Sequence, residues 1–132
     1  MEGTLFNLGI KVKDVDAELR FYESVGATLL GKQPRSREGR DYEVAIVVWL
    51  GTRILLTPMP MFERPEAPRA LGLAHAVWEV TDFDGDCDRL AAAGAREVRP
   101  RSFFDAPEGR RRAAFFESPN GLDFEILEIL PK

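Results

Sequence analysis

The 132-residue chain is written twice. Shifting residues 1–34 by 68 positions lays Val12 on Val80, Asp14 on Asp82, Asp16 on Asp84, Gly26 on Gly94 and Ala27 on Ala95. A shift of 70 then lays Glu38-Gly39-Arg40 on Glu108-Gly109-Arg110 and Gly51 on Gly121. These identities fall in order and mostly at helix starts, helix ends and turns. So long a period indicates two copies of one small α/β module rather than a solenoid. Each copy, at about 65 residues, is marginal alone, so the halves are expected to pack together or to exchange with a second chain. The copies differ where chemistry would sit: the second has His75 and Glu125 where the first has Asn7 and Leu55.

Each copy reads β-α-β-β-β. Over residues 5–13, Leu8, Ile10 and Val12 alternate with Asn7, Gly9, Lys11 and Lys13, the pattern of a half-buried strand. Asp14 is placed to cap a helix carrying Val15, Leu19, Tyr22 and Val25, and Gly26 ends it. A strand from Leu29, a polar loop over 34–41, a strand Tyr42–Leu50 and a strand Arg53–Thr57 complete the unit. Residues 58–72 hold Pro58, Pro60, Pro65 and Pro68 and read as an extended, mobile linker. The second copy gives a strand Leu73–Val80 and a helix from Asp82 to about Ala93, stopped by Gly94. Strands follow at Arg96–Phe104, Ala113–Glu117 and Leu122–Leu130, with turns at Asp105–Arg110 and Ser118–Gly121. The expected fold is α+β: paired βαβββ modules, about 4–57 and 73–130, forming curved sheets around a cavity. Ala76, Trp78 and Val80 should face the helix, and His75, Val77 and Glu79 the open side.

A net charge of −4 gives no general attraction to nucleic acid or an anionic membrane. Cys87 stands alone, with no Cys/His cluster, and reads as packing. Met1-Glu2-Gly3-Thr4 lacks the basic start and apolar run of a signal peptide, so a cytoplasmic location is expected. His75 is the only imidazole. Brought onto one face with Glu125, it suits a divalent metal or a general acid/base pair. Trp49, Phe103 and Phe104 are candidates to stack on a flat ligand, with Arg101 as a further ligand contact. The run Arg110–Arg112 is either a solvated hairpin tip or a clamp on an anionic group.

Three segments carry a family resemblance: Asn7 to Asp14 before an amphipathic helix with Phe21-Tyr22, His75 to Asp82, and Phe116 to Glu125. The last resembles the hairpin F-x-D-P-x-G-N-x-x-E. In this order the chain resembles the vicinal oxygen chelate superfamily, the glyoxalase, bleomycin-resistance and extradiol dioxygenase group. The resemblance implies metal ligands on the first strand of each module and on the last strand of one or both. Those positions are Asn7, His75, about Leu55, and Glu125. Leu55 cannot ligate, so His75, Glu125 and Asn7 form the implied set for Mg²⁺, Mn²⁺, Zn²⁺, Fe²⁺ or Ni²⁺, or there is no cofactor at all. Glu79 is either a replacement ligand or a catalytic base beside Glu125, or it forms a salt bridge with Lys11. The implied function is a metal-dependent lyase, isomerase or dioxygenase acting on a small oxygenated metabolite. The alternative is a metal-free protein that binds an antibiotic or aromatic natural product. A homodimer is expected in either case.

Overall fold

The computed structural model describes residues 1–106 and 109–131. The elements run β1 (Gly3–Lys11), α1 (Val15–Ser24), β2 (Thr28–Arg37), β3 (Arg40–Trp49), β4 (Thr52–Thr57), β5 (Gly72–Val80), α2 (Phe83–Ala92), β6 (Arg96–Ala106), β7 (Gly109–Glu117) and β8 (Asp123–Leu130). The βαβββ order is therefore present twice, in an α+β chain. Both helices start as the sequence predicts. The Asp14 carboxylate accepts the Ala17 N–H at 3.0 Å, and Asp82 accepts that of Gly85 at 3.3 Å. Gly26 and Gly94 follow the helix ends with φ of 97° and 100°, a left-handed conformation that glycine enters without steric cost.

Two strand predictions need correction. The expected loop over 34–41 is mostly strand: Pro34 to Arg37 pair with Glu43 to Arg40, and the chain turns on Glu38-Gly39. Both turn residues have positive φ, the two-residue turn whose twist suits a hairpin. In the second copy β6 reaches Ala106 and β7 begins at Gly109. Arg110 to Arg112 are thus strand residues rather than a turn, while Pro107 and Glu108 of the expected turn lie outside the described residues.

The chain divides into two compact units, residues 7–74 and residues 1–6 with 75–132. The boundary falls inside β1. In the first of these units the strands lie in the order β2-β3-β4-β1, with β1 parallel to β4. Helix α1 covers one face through Leu19, packed with Val12, Ala45, Val47, Ile54 and Leu56. Residues 58–72 are not a free linker. Met59, Pro60, Phe62 and Glu63 are buried, and Arg37 donates to the Pro60 carbonyl at 2.6 Å. Glu63 accepts from the Lys11 ammonium and, at 2.8 Å, from the Arg69 N–H. Lys11 is therefore engaged by Glu63, in place of the expected Lys11–Glu79 pair. Burial alone would push the Glu63 carboxyl up. The Lys11 and Arg69 hydrogen bonds, with the charges of Lys11 and Arg40, outweigh it and hold the group below its ordinary value of 4.5.

The second unit orders its strands β5-β8-β7-β6, with β5 parallel to β8. Phe83 and Cys87 of α2 pack with Val80, Ala114, Phe116 and Ile126. Residues 1–6 run beside β5, where the Thr81 N–H donates to the Glu2 carbonyl at 3.3 Å. Gly3 lies so close to the Glu79 carbonyl that a Cβ would collide with backbone. Arg111 lies over the Phe6 ring at 4.8 Å and the Phe104 ring at 5.8 Å, which ties residues 1–6 down further. Trp78, predicted to face the helix, is 42% exposed and outside the α2 core. Among the described residues no helix is long and apolar enough to cross a membrane.

Two outcomes follow for stability. Gly3→Ala should cost about 1–3 kcal/mol by overpacking, read as a lowered thermal midpoint, whereas Gly31→Ala, with open space around it, should change little. Glu63 has a lowered folded pKa, so its stabilisation is present above the unfolded value and is lost as pH falls through the folded one. Glu63→Gln should therefore be less stable than the parent at neutral pH, with the gap closing in urea titrations as the pH is lowered below 4.5.

Candidate functional site

The parallel pairing of β5 with β8 sets the site. Val77 lies opposite Glu125 and Ala76 opposite Phe124. Ile126 and Val80 belong to the helix-facing core, so alternation turns His75, Val77, Glu79, Glu125 and Leu127 to the other face. The turn before β8 sets the register of β8 against β7. The Gly121 N–H donates to the Ser118 carbonyl at 2.9 Å, and the Leu122 N–H donates to the Ser118 hydroxyl at 3.1 Å. On that face His75 Nε2 and Glu125 Oε2 stand 3.6 Å apart, and the two residues are only 4% and 8% exposed.

The pairing continues across the sheet. Phe115 on β7 is opposite Glu125, and Arg99 on β6 is opposite Phe115. One row of the face therefore reads Arg99, Phe115, Glu125, Val77, with His75 one pleat from Val77. Phe115 is fully buried, and the Arg99 guanidinium lies 5.0 Å over its ring. Ala113 and Leu127 form the core of the next row and are also buried.

The first unit repeats the register. Leu8 pairs with Ile54, Gly9 with Leu55 and Lys11 with Thr57, as Ala76 pairs with Phe124, Val77 with Glu125 and Glu79 with Leu127. Asn7 and Leu55 are thus the structural counterparts of His75 and Glu125. Asn7 is buried, and its Oδ1 has no hydrogen-bond partner among the described residues. An amide oxygen so placed has the chemistry of a neutral hard ligand.

The other sequence candidates divide by face. Glu79 is half-buried on the His75 face, opposite Leu127. Among the described residues no group of three or more His, Cys, Asp or Glu side chains is gathered to hold a metal, so Glu79 does not complete a set with His75 and Glu125. Trp49 packs against the α1 core, edge-on to Tyr22 at 5.4 Å, with its indole N–H donating to the Val25 carbonyl at 3.2 Å. Arg101 turns to α2, bonding Glu97 at 2.9 Å with its guanidinium 5.8 Å from the Phe83 ring. Phe103 is 67% exposed, and Phe104 is a partner of Arg111. The arginine run is divided by strand alternation. Arg110 is exposed, Arg111 is buried between rings, and Arg112 binds Glu128 at 2.6 Å on the helix side. Sequence reading did not place Arg99 and Phe115 in one row with Glu125. Their signal was the alternation through β6 and β7, blurred by the register shifts between Glu97 and Ser102.

A profile of the glyoxalase/bleomycin resistance protein/dioxygenase superfamily matches residues 4–126, and the chain belongs to that superfamily. It is similar to the uncharacterized protein YaeR of Escherichia coli (strain K12), 27% identical over 124 residues, covering 92% of this chain and 93% of that one. Its fold is similar to that of hypothetical protein BH1468 from Bacillus halodurans C-125, at TM-score 0.74 and 21% identity, covering 100% and 98% of the two chains. It is also similar in fold to methylmalonyl-CoA epimerase from Mycobacterium tuberculosis, at TM-score 0.69 and 21% identity, covering 97% and 89%.

Cys87 lies in α2, on the opposite face from His75, and burial pushes its thiol up, which leaves little thiolate at neutral pH. In the folded protein Ellman's reagent should modify it slowly, and in denaturant at the rate of an ordinary thiol. Fast modification of the folded protein would contradict this placement.

Proposed function

We propose that this chain is an enzyme that acts on a small oxygenated metabolite, with His75 and Glu125 as its reactive pair and a divalent cation as cofactor. The supporting observation is the pair itself: an imidazole and a carboxylate, both buried, on the sheet face away from the helix and 3.6 Å apart. That separation is long for a hydrogen bond, so the two donors are not spent on each other and would both be open to a cation. Two such donors fit a cation that keeps several waters, such as Mg²⁺ or Mn²⁺, better than a closed zinc site with four protein ligands. The sequence resemblance also names Asn7, whose buried Oδ1 has no hydrogen-bond partner among the described residues.

When bound, the cation would polarise substrate oxygens and stabilise the negative charge that develops on them. The protein's own groups do the rest. With His75 Nε2 and Glu125 Oε2 given to the cation, proton transfer falls to Glu79, half-buried on the same face, which can accept a proton from substrate and return it. Phe115, Val77 and Leu127 line the same face with apolar surface, which excludes water and strengthens each polar contact. A cytoplasmic homodimer belongs to the same reading. Metal-free stacking of an aromatic antibiotic or natural product is less supported, because Trp49 is already engaged by Tyr22 and Val25.

Calorimetric titration with Mg²⁺, Mn²⁺, Zn²⁺, Fe²⁺ and Ni²⁺ tests the proposal. One ion should bind saturably, and His75→Ala and Glu125→Gln should each weaken it by at least about tenfold while circular dichroism stays native. The absence of heat with all five ions, or unchanged binding in both variants, would refute it.

A further inference from the structure

We infer that residues 58–69 are a strap closed over one face of the first unit's sheet, and that it opens as one piece, with the sheet intact, when the Lys11–Glu63 contact is lost. The face is the counterpart of the one that carries His75 and Glu125 in the second unit. Val12, Ala45 and Leu56 belong to the α1 core, so alternation turns Lys11, Val44 and Thr57 to the other side. Arg40 shares that side with Val44, and Arg37 lies opposite Arg40. Thr57, Arg37 and Lys11 all hold the strap from there. The Thr57 hydroxyl accepts the Met59 N–H at 3.1 Å, and Arg37 donates to the Pro60 carbonyl. Lys11 donates to Glu63 and, at 2.7 Å, to the Arg69 carbonyl. Arg37 and Lys11 stand on the first and last strands of the order β2-β3-β4-β1, three strand spacings or about 14 Å apart. A segment fastened to both crosses the face.

The sequence explains why the fastening is made by side chains. Pro58, Pro60, Pro65 and Pro68 have no N–H to give to a ladder, so the segment offers carbonyls, and cations take them. The bridge between Arg64 and Ala67 is internal to the strap. So are the bonds from the Glu63 N–H to the Pro60 carbonyl, at 3.0 Å, and from the Arg69 N–H to the Glu63 carboxylate. The strap is thus folded on itself. Lys11 is its keeper, because one ammonium holds both the carboxylate at its centre and the Arg69 carbonyl. Glu63 is buried, so removal of that cation leaves a charge that is better satisfied by lifting into water. β3, by contrast, is laddered to β2 and to β4. Segments without ladders open at a smaller free energy than such strands. Closed, the strap withholds the Lys11 ammonium from solutes; open, it presents it.

Native-state amide exchange of the full chain in urea below the unfolding transition, together with trypsin cleavage after Arg69, tests this. In the parent, the Glu63, Ala67 and Arg69 amides should exchange together, about tenfold or more faster than the β3 amides and with a weaker urea dependence. Lys11→Met should speed cleavage after Arg69 by about tenfold or more while far-ultraviolet circular dichroism stays native. Glu66→Gln, at an exposed carboxylate of the same strap, should be cleaved at the parent rate. Strap and β3 amides that share one urea dependence would overturn the inference, as would cleavage of Lys11→Met at the parent rate or an equal rise in Glu66→Gln. If Lys11→Met fails to fold, the exchange pattern of the parent decides the matter in either direction.

Discussion

Parallel pairing of the first strand with the last in each unit is the constraint on which the rest of the structure depends. Sequence neighbours such as β2 and β3 or β6 and β7 pair through tight turns and need little else. The β1–β4 and β5–β8 pairs join segments about fifty residues apart, so they form only when a helix and a hairpin have been accommodated between them. His75 and Glu125 meet through this pairing and no other. Because side chains alternate along a strand, a slip of one residue in β8 would send Glu125 to the helix-facing core and bring Phe124 or Ile126 to His75. The Ser118–Gly121 turn, with its hydroxyl-to-backbone bond, opposes a slip of β8 against β7.

The same alternation separates two kinds of electrostatics in the second unit. On the helix side, Arg101 and Arg112 share Asp84 and lie over Phe83, while Arg112 also meets Glu128. These pairs are partly exposed, and such contacts add little to stability individually. On the other side, His75, Glu125 and Arg111 are buried among Val77, Ala113, Phe115 and Leu127. Ionisable groups in such surroundings are costly to keep for stability alone. Chemistry is the more economical account of the His75 and Glu125 placement. Arg111 has a structural one, since its rings fasten residues 1–6.

Much of the scaffold was legible because it depends on local rules. Asp14 and Asp82 cap helices wherever such helices begin, and glycines at the helix ends take the conformations that other residues avoid. Strand alternation also placed Asn7, His75 and Glu79 correctly on one side of their strands. What escaped was non-local or competed with a strong local signal. Proline content in residues 58–72 read as a free linker, yet the burial of Met59 and Phe62 and the Lys11–Glu63 bond are tertiary events with no local marker. Three consecutive arginines read as one cluster, a solvated hairpin tip or an anion clamp, because charge outweighs the period of two that divides them. Trp49 was read as lining a cavity, although only three-dimensional packing could reveal its partner in Val25. The candidate pair was visible as the asymmetry between copies, while its distance and its arginine neighbour were not.

The boundary inside β1 bears on how such a chain can evolve. A duplicated gene often leaves halves that can be separated, shuffled or lost independently. Here the unit containing the second copy also includes residues 1–6, whose backbone meets Glu79 and Thr81. A break introduced at residues 58–72 would therefore remove from that unit a segment encoded before the first copy's helix. The halves of the sequence are thus not the halves of the structure, while Asn7 and Leu55 stand where the second copy has His75 and Glu125. The repeat in the sequence and the division of the structure are offset by the six residues before Asn7.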